Sequence, residues 1–172
     1  GWERARPFGC YDDAMVRLSV AAFLEDSGYQ VEQVADGASA LKAFQRNPPS
    51  LIITDLKMPR MDGLALLREI AAATKPVPVI VMSGAGSMQD VVEALRYGAA
   101  DYLVKPIVDF RVLEHAITKC LERVRLVEEN RSYREQLEKT NSEMAKYLRE
   151  LEQDQQAGRQ LQLKLFPQAD LK

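Results

Sequence analysis

Residues 51–63, LIITDLKMPRMDG, decide how the rest of the chain is read. Leu51, Ile52, Ile53 and Thr54 form a short apolar run rich in β-branched residues, the signature of a buried strand. Asp55 ends that run, and Met58-Pro59 and Asp62-Gly63 behind it cannot prolong a strand. A carboxylate is therefore delivered to the tip of a buried strand.

The same rhythm extends on both sides. From residue 12 to about 108, strand-like and helix-like segments alternate. Ala14 to Ser27 carries Val16, Val20, Phe23 and Leu24 at helical spacing, with Gly28 as its stop. YQVEQV alternates as a strand does. A helix follows Asp36-Gly37 through Ala40, Leu41 and Phe44, and Asn47-Pro48-Pro49 ends it. DGLALLREIAAA reads as a helix, and VPVIVM as a strand buried on both faces. SMQDVVEALRYG reads as a helix, and DYLV as a short strand. Such alternation predicts a parallel sheet covered by helices, in which ligands meet the carboxyl ends of strands. Asp55, Ser83 and Lys105 fall at three such ends, and Asp12 and Asp13 follow a first strand if one lies upstream.

Carboxylates gathered at one edge repel each other, and a hard divalent cation such as Mg²⁺ relieves that repulsion through oxygen ligands. A carboxylate beside such a cation can act as a nucleophile toward phosphorus. Phosphoryl transfer needs little beyond positioning and neutralisation of charge. Lys105 offers a point charge for one phosphoryl oxygen and the Ser83 hydroxyl a hydrogen bond for another. Gly84 leaves room beside them, and Lys105-Pro106 is a candidate cis bond.

DDAMVR, DLKMPRMDG, VMSGAG and DYLVKP, in that order and each after a strand, resemble the receiver domain of bacterial two-component response regulators. The resemblance covers residues 12 to about 120. It implies a CheY-like α/β fold: a doubly wound five-stranded parallel sheet in the order 2-1-3-4-5, here followed by a long C-terminal coiled-coil helix. It implies that Asp55 is the phosphoacceptor, that Lys105 senses the phosphate, and that Ser83 is the switch hydroxyl. Tyr102 matches the switch aromatic, which turns inward when Ser83 engages the phosphate. The implied Mg²⁺ site takes Asp12, Asp13, Asp55 and the backbone carbonyl of Lys57. Implied partners are a sensor histidine kinase or a small phosphodonor. Plainer readings stand beside these: Asp55 as a turn cap, Lys105 as a solvated lysine, Ser83 as a helix cap, Tyr102 as half-buried packing, and the Lys57 side chain in solvent. His115, the single histidine, reads as a half-exposed helix position. GAGSMQ superficially resembles a phosphate-binding glycine loop but lacks its Gly-Lys-Ser/Thr ending.

The N-terminal segment departs from the family. An apolar first strand ending in adjacent acids is expected, and RARPFGCYDD stands there, with Pro7, Gly9, Arg4 and Arg6 unsuited to a central strand. Counted back from Arg17, the first acidic position falls on Tyr11 and the second on Asp12, with Asp13 as a third acid. In the alternative alignment Asp12 and Asp13 are themselves the pair. Residues 1–11 are read as an atypical segment, a tag or other non-native sequence standing in for strand 1.

Beyond the receiver, residues 121–166 are read as a coiled-coil linker helix and 167–172 as the start of an output domain outside this chain. No proline intervenes from about 108 to Pro167, and Gly158 is the only glycine there. Leu113, Ile117, Cys120, Val124 and Val127 follow heptad spacing, as do Asn130, Tyr133, Leu137, Thr140, Met144, Tyr147 and Leu151, with a three-residue step between the two runs. This predicts a parallel homodimer through residues 113–165, with Asn130 at an a position. AGRQLQLKLFP resembles the segment before the metal-dependent phosphatase domain of the SpoIIE and PP2C-like class, which RssB-like response regulators carry behind a helical linker.

Composition is that of an ordinary globular protein, 47% apolar and, slightly high, 28% charged. The net charge of −2 argues against direct nucleic-acid binding, and the distant Cys10 and Cys120 fit no metal or redox spacing. No apolar run approaches the roughly 20 residues of a membrane span. The expected location is the cytoplasm, and the chain is expected to be no enzyme beyond its own phosphorylation. The expected function is a phosphorylation-dependent switch acting through a dimerising helix on an output domain or protein partner. Two alternatives remain: an unphosphorylated scaffold, and the regulatory half of a PP2C-type phosphatase.

Overall fold

A computed structural model describes residues 5–86 and 88–165. The strands are β1 (Pro7–Cys10), β2 (Glu32–Val34), β3 (Leu51–Asp55), β4 (Val79–Gly84) and β5 (Asp101–Lys105). The helices are α1 (Ala14–Asp26), α2 (Gly37–Arg46), α3 (Gly63–Ala71), α4 (Met88–Arg96) and α5 (Phe110–Leu165). The strands pair in parallel, as the alternation of elements predicts, in the order β2-β1-β3-β4-β5 that the family resemblance implies.

Apolar residues fill both faces of the sheet, so neighbouring residues of β3 enter different cores. Ile52 packs with Phe8, Cys10, Val79 and Val81 under α2, α3 and α4. Leu51 and Ile53 pack with Tyr11, Ile80, Met82 and Leu103 under α1 and α5. This double burial explains why the central strands read as continuous apolar runs. Local chemistry sets the helix ends. The carboxylates of Asp13, Asp36 and Asp62 cap α1, α2 and α3 by accepting backbone N–H bonds from their first turns. Gly28 closes α1 at φ +88°, in the left-handed region where glycine is unstrained.

The segment judged unsuited to a central strand forms β1, between β2 and β3. Pro7 is its first residue, where a missing N–H does least harm. Gly9 makes room for a neighbour: a Cβ there would lie 2.6 Å from Cε2 of Tyr11. Arg6 stays outside the strand, where its guanidinium donates to Asn47 Oδ1 at 3.1 Å. Arg4 and the rest of residues 1–4 lie outside the described residues, as do residue 166 and the expected output segment 167–172.

The chain divides into two units, Gly1–Arg125 and Leu126–Lys172. In the first, Leu113, Ala116, Ile117 and Cys120 of α5 are buried in the sheet's second core. This corrects the expected dimer span. Leu113, Ile117 and Cys120 have heptad spacing because they pack on their own sheet, so they cannot also face a second chain. In the second unit every described residue is exposed.

Candidate functional site

β3 delivers Asp55 to the carboxyl edge, where the residue is only 1% exposed. The register extends β1 so that Tyr11 follows Cys10, the partner of Thr54, and the chain turns beside Asp55. The backbone N–H of Asp12 then donates to Asp55 Oδ2 at 3.2 Å. On the other side Gly84 of β4 pairs with Lys105 of β5. The Lys105 side chain reaches across the end of β4 and sets Nζ 3.0 Å from Asp55 Oδ1. This ion pair has no aligned hydrogen bond, so Oδ1 keeps its acceptor capacity while buried. Lys105-Pro106 is cis, as predicted.

Ser83, the last buried residue of β4, donates its hydroxyl only to the neighbouring Gly84 carbonyl, at 3.2 Å. Gly84 has open space where a Cβ would stand. Tyr102, on β5, is 36% exposed, partly covered and partly open to solvent. The Lys57 side chain is largely solvated but also pairs with Asp90 of α4, 3.4 Å away. His115 is exposed on α5.

The acids divide. Asp12 is exposed at the edge beside Asp55. Asp13, expected as a further cation ligand, caps α1: its Oδ1 accepts from Met15 N at 2.8 Å and from Val16 N at 3.3 Å. Tyr11 sits in the strand position next to the acceptor and turns into the core, fully buried, its hydroxyl without a hydrogen-bond partner. Burial, and then the charge of Asp55, raise its phenol well above the usual tyrosine range, so the group stays neutral. Among the described residues no three His, Cys, Asp or Glu side chains cluster as a metal site. The Asp12 N–H contact brings the Asp12 and Asp55 carboxylates to one edge, and the resemblance adds the Lys57 carbonyl to them. This all-oxygen set, with an unsatisfied buried carboxylate oxygen, fits a hard cation that keeps several waters, as Mg²⁺ does.

Three contributions escaped the sequence reading. The Asp12 N–H that holds Asp55 is a backbone donor and carries no residue signature. Gly63 was visible only as a turn residue, yet a Cβ there would lie 2.2 Å from the Asp55 carbonyl oxygen. α3 can therefore start directly beneath the acceptor only with glycine at that position. Asp90 has no local signal, since its pairing with Lys57 spans two elements.

The family model for the response regulator receiver domain matches residues 10–118. The C4-dicarboxylate transport transcriptional regulatory protein DctD of Rhizobium meliloti is 37% identical over 123 residues, 72% of this chain and 26% of that protein. The transcriptional regulatory protein PrrA of Mycobacterium tuberculosis is 41% identical over 97 residues, 56% of this chain and 42% of that protein. The chain thus spans less than half of these relatives. Among solved structures, a response regulator receiver domain protein from Clostridium thermocellum superimposes with a TM-score of 0.67 at 30% identity, covering 72% of this chain and 98% of that one. NtrX from Brucella abortus gives 0.69 at 34%, covering 73% of this chain and 28% of NtrX.

Proposed function

This chain belongs to the response regulator receiver family, and we propose that Asp55 is its phosphoacceptor, with Lys105, Ser83 and Tyr102 reading the modification. The observation that carries this reading is the buried Asp55 carboxylate, paired with Lys105 and holding one oxygen without an aligned hydrogen bond. Its function is phosphorylation-dependent signalling. An Asp55 oxygen attacks the phosphorus of a phosphohistidine on a sensor kinase, or of a small acyl phosphate. The P–N or P–O bond to the donor breaks, its electron pair leaves with the donor, and an acyl phosphate forms on Asp55. Mg²⁺ would be held by Asp12, Asp55 and the Lys57 carbonyl and, when bound, would neutralise phosphoryl charge. Lys105 follows the added charge from the carboxylate to a phosphoryl oxygen. The Ser83 hydroxyl, bound only to its neighbour's carbonyl, turns to another, and Tyr102 moves inward into the space Ser83 leaves. A ligand shifts such an equilibrium only through differential affinity, here the new bonds to Lys105 and Ser83.

The receiver spans residues 12–120 and passes the change through the linker helix to an output domain or protein partner, in a cytoplasmic homodimer. The transcriptional regulators among its relatives, and the resemblance of AGRQLQLKLFP to the segment preceding a phosphatase domain, frame the choices for that output. Tyr11, a neutral buried residue where an acid is usual, favours a second reading: a scaffold that is never phosphorylated. The test is incubation with acetyl phosphate and Mg²⁺, read by intact mass and peptide mapping. Phosphate on Asp55, absent in Asp55→Asn, supports the switch. Unmodified Asp55, together with unchanged amide spectra on adding beryllofluoride and Mg²⁺, supports the scaffold.

A further inference from the structure

With Leu113, Ile117 and Cys120 used by the receiver core, the apolar side chains of the second unit need another explanation. Leu126, Tyr133, Leu137, Met144, Tyr147 and Leu151 are each more than two-fifths exposed. They fall at alternating d and a positions of one heptad frame, with Asn130 at a and Thr140 at d between them. That frame runs back to Leu126 and leaves Val127 at a flanking e position. After Leu151 the same frame meets Asp154 and then Gly158, an acid that would face its own copy and a residue that weakens a helix. The frame resumes only beyond this break, at the exposed Leu161 and Leu165, so residues 126–151 are the longer stretch of the seam.

The flanking charges select an orientation. In a parallel in-register pair, g of one helix meets e of the next heptad of its partner, so Glu129 faces Arg134 twice by symmetry. The pair Gln136 and Asn141 is uncharged, and Glu143 and Glu150 meet Leu148 and Gln155, so no like charges oppose. Antiparallel packing sets g against g, and Glu129, Glu143 and Glu150 occupy three of the four g positions from 129 to 150. It would also place Asn130 against Tyr147, leaving the amide without the partner that Asn130 of a second copy supplies in the parallel form.

We propose that residues 126–151 form a parallel, in-register two-stranded coiled coil with a second copy of this chain, its register set by Asn130 and by Glu129 facing Arg134. This deepens the dimer included in the functional reading and does not depend on phosphorylation at Asp55.

The test uses the full chain. Light scattering at micromolar concentration should give twice the 19.4 kDa chain mass. Under mild oxidation Met144→Cys should cross-link to itself, because a parallel in-register pair sets residue 144 beside its own copy, whereas antiparallel packing with Asn130 against Tyr147 sets it beside Tyr133. Ser142→Cys, at an outward f position, should not. Arg134→Glu should raise the dissociation constant about tenfold by setting Glu against Glu twice, and Glu129→Arg in the same chain should restore it. A monomer, or a dimer that cross-links at residue 142 as readily as at 144, overturns the proposal. So does a dimer indifferent to both charge changes. Acetyl phosphate labelling of Asp55 in the same samples shows separately whether the switch reading stands.

Discussion

The Lys105–Asp55 pair should respond unequally to loss of its two members. Nζ and Oδ1 lie 3.0 Å apart, with side-chain exposures of 31% for Lys105 and 2% for Asp55. At an effective dielectric constant of about 20, Coulomb attraction at that distance is worth roughly 5 kcal/mol. Water at the part-exposed ammonium screens it to about 2–3 kcal/mol. Lys105→Met keeps most of the aliphatic bulk but leaves a buried carboxylate whose remaining support is the Asp12 N–H. Stability should fall by about 2–3 kcal/mol. In Asp55→Asn the amide oxygen still accepts from Asp12, and the lysine turns into the water it already touches. That variant should stay within about 1 kcal/mol of the parent. The double variant should match Asp55→Asn, because no buried charge remains to be stranded. Urea unfolding at pH 7, followed by near-UV circular dichroism of the tyrosines, measures all three. Equal losses from the two single variants would refute the reasoning, because they would mean that the carboxylate is not held as a desolvated anion.

The remaining predictions concern positions around the same edge. Tyr11→Phe removes a buried hydroxyl that has no partner, so stability should hold or rise by up to about 1 kcal/mol in the same urea titration. Gly63→Ala drives a methyl group into backbone beside Asp55 and should cost about 2–3 kcal/mol and slow labelling by acetyl phosphate. Burial pushes the thiols of Cys10 and Cys120 up to about 12 and about 11, so both stay protonated at neutral pH. Neither should react with iodoacetamide in the native chain at pH 8, and both should label in urea, as mass spectrometry would record.

Periodicity made the sheet legible, because strands buried on both faces must be apolar throughout and the helices between them must show a 3.6-residue stripe. Asp55, Ser83 and Lys105 were legible because each ends such a strand. β1 was not, since its fitness depends on a pair: Gly9 looks like a weak strand residue until the Tyr11 ring is seen occupying the space of its missing side chain. The two heptad runs of the tail look alike in sequence, yet one packs inward and the other stays exposed. Spacing specifies which face of a helix is apolar but not what covers it. Asp13 was similarly ambiguous, because a short acid just before a helix suits a cap as well as a cation.

The neutral phenol of Tyr11 alters the charge balance of the proposed switch. An acid at that strand position would add a charge to those of Asp55 and Asp12, raising the repulsion that a cation relieves and thereby its affinity. With Tyr11 turned into the core, the buried charge at the edge is Asp55 alone, already offset by Lys105. The unmodified state is therefore relaxed, and the cation has less repulsion to relieve. Phosphorylation changes the balance far more than cation binding does. It replaces a single negative charge, matched by a single lysine, with a phosphoryl group carrying about two. Lys105 alone then no longer balances the site, and the available donor is the weakly held Ser83 hydroxyl. Losing one acid thus weakens metal recruitment while leaving intact the imbalance that a phosphoryl group creates, which is the part a switch requires.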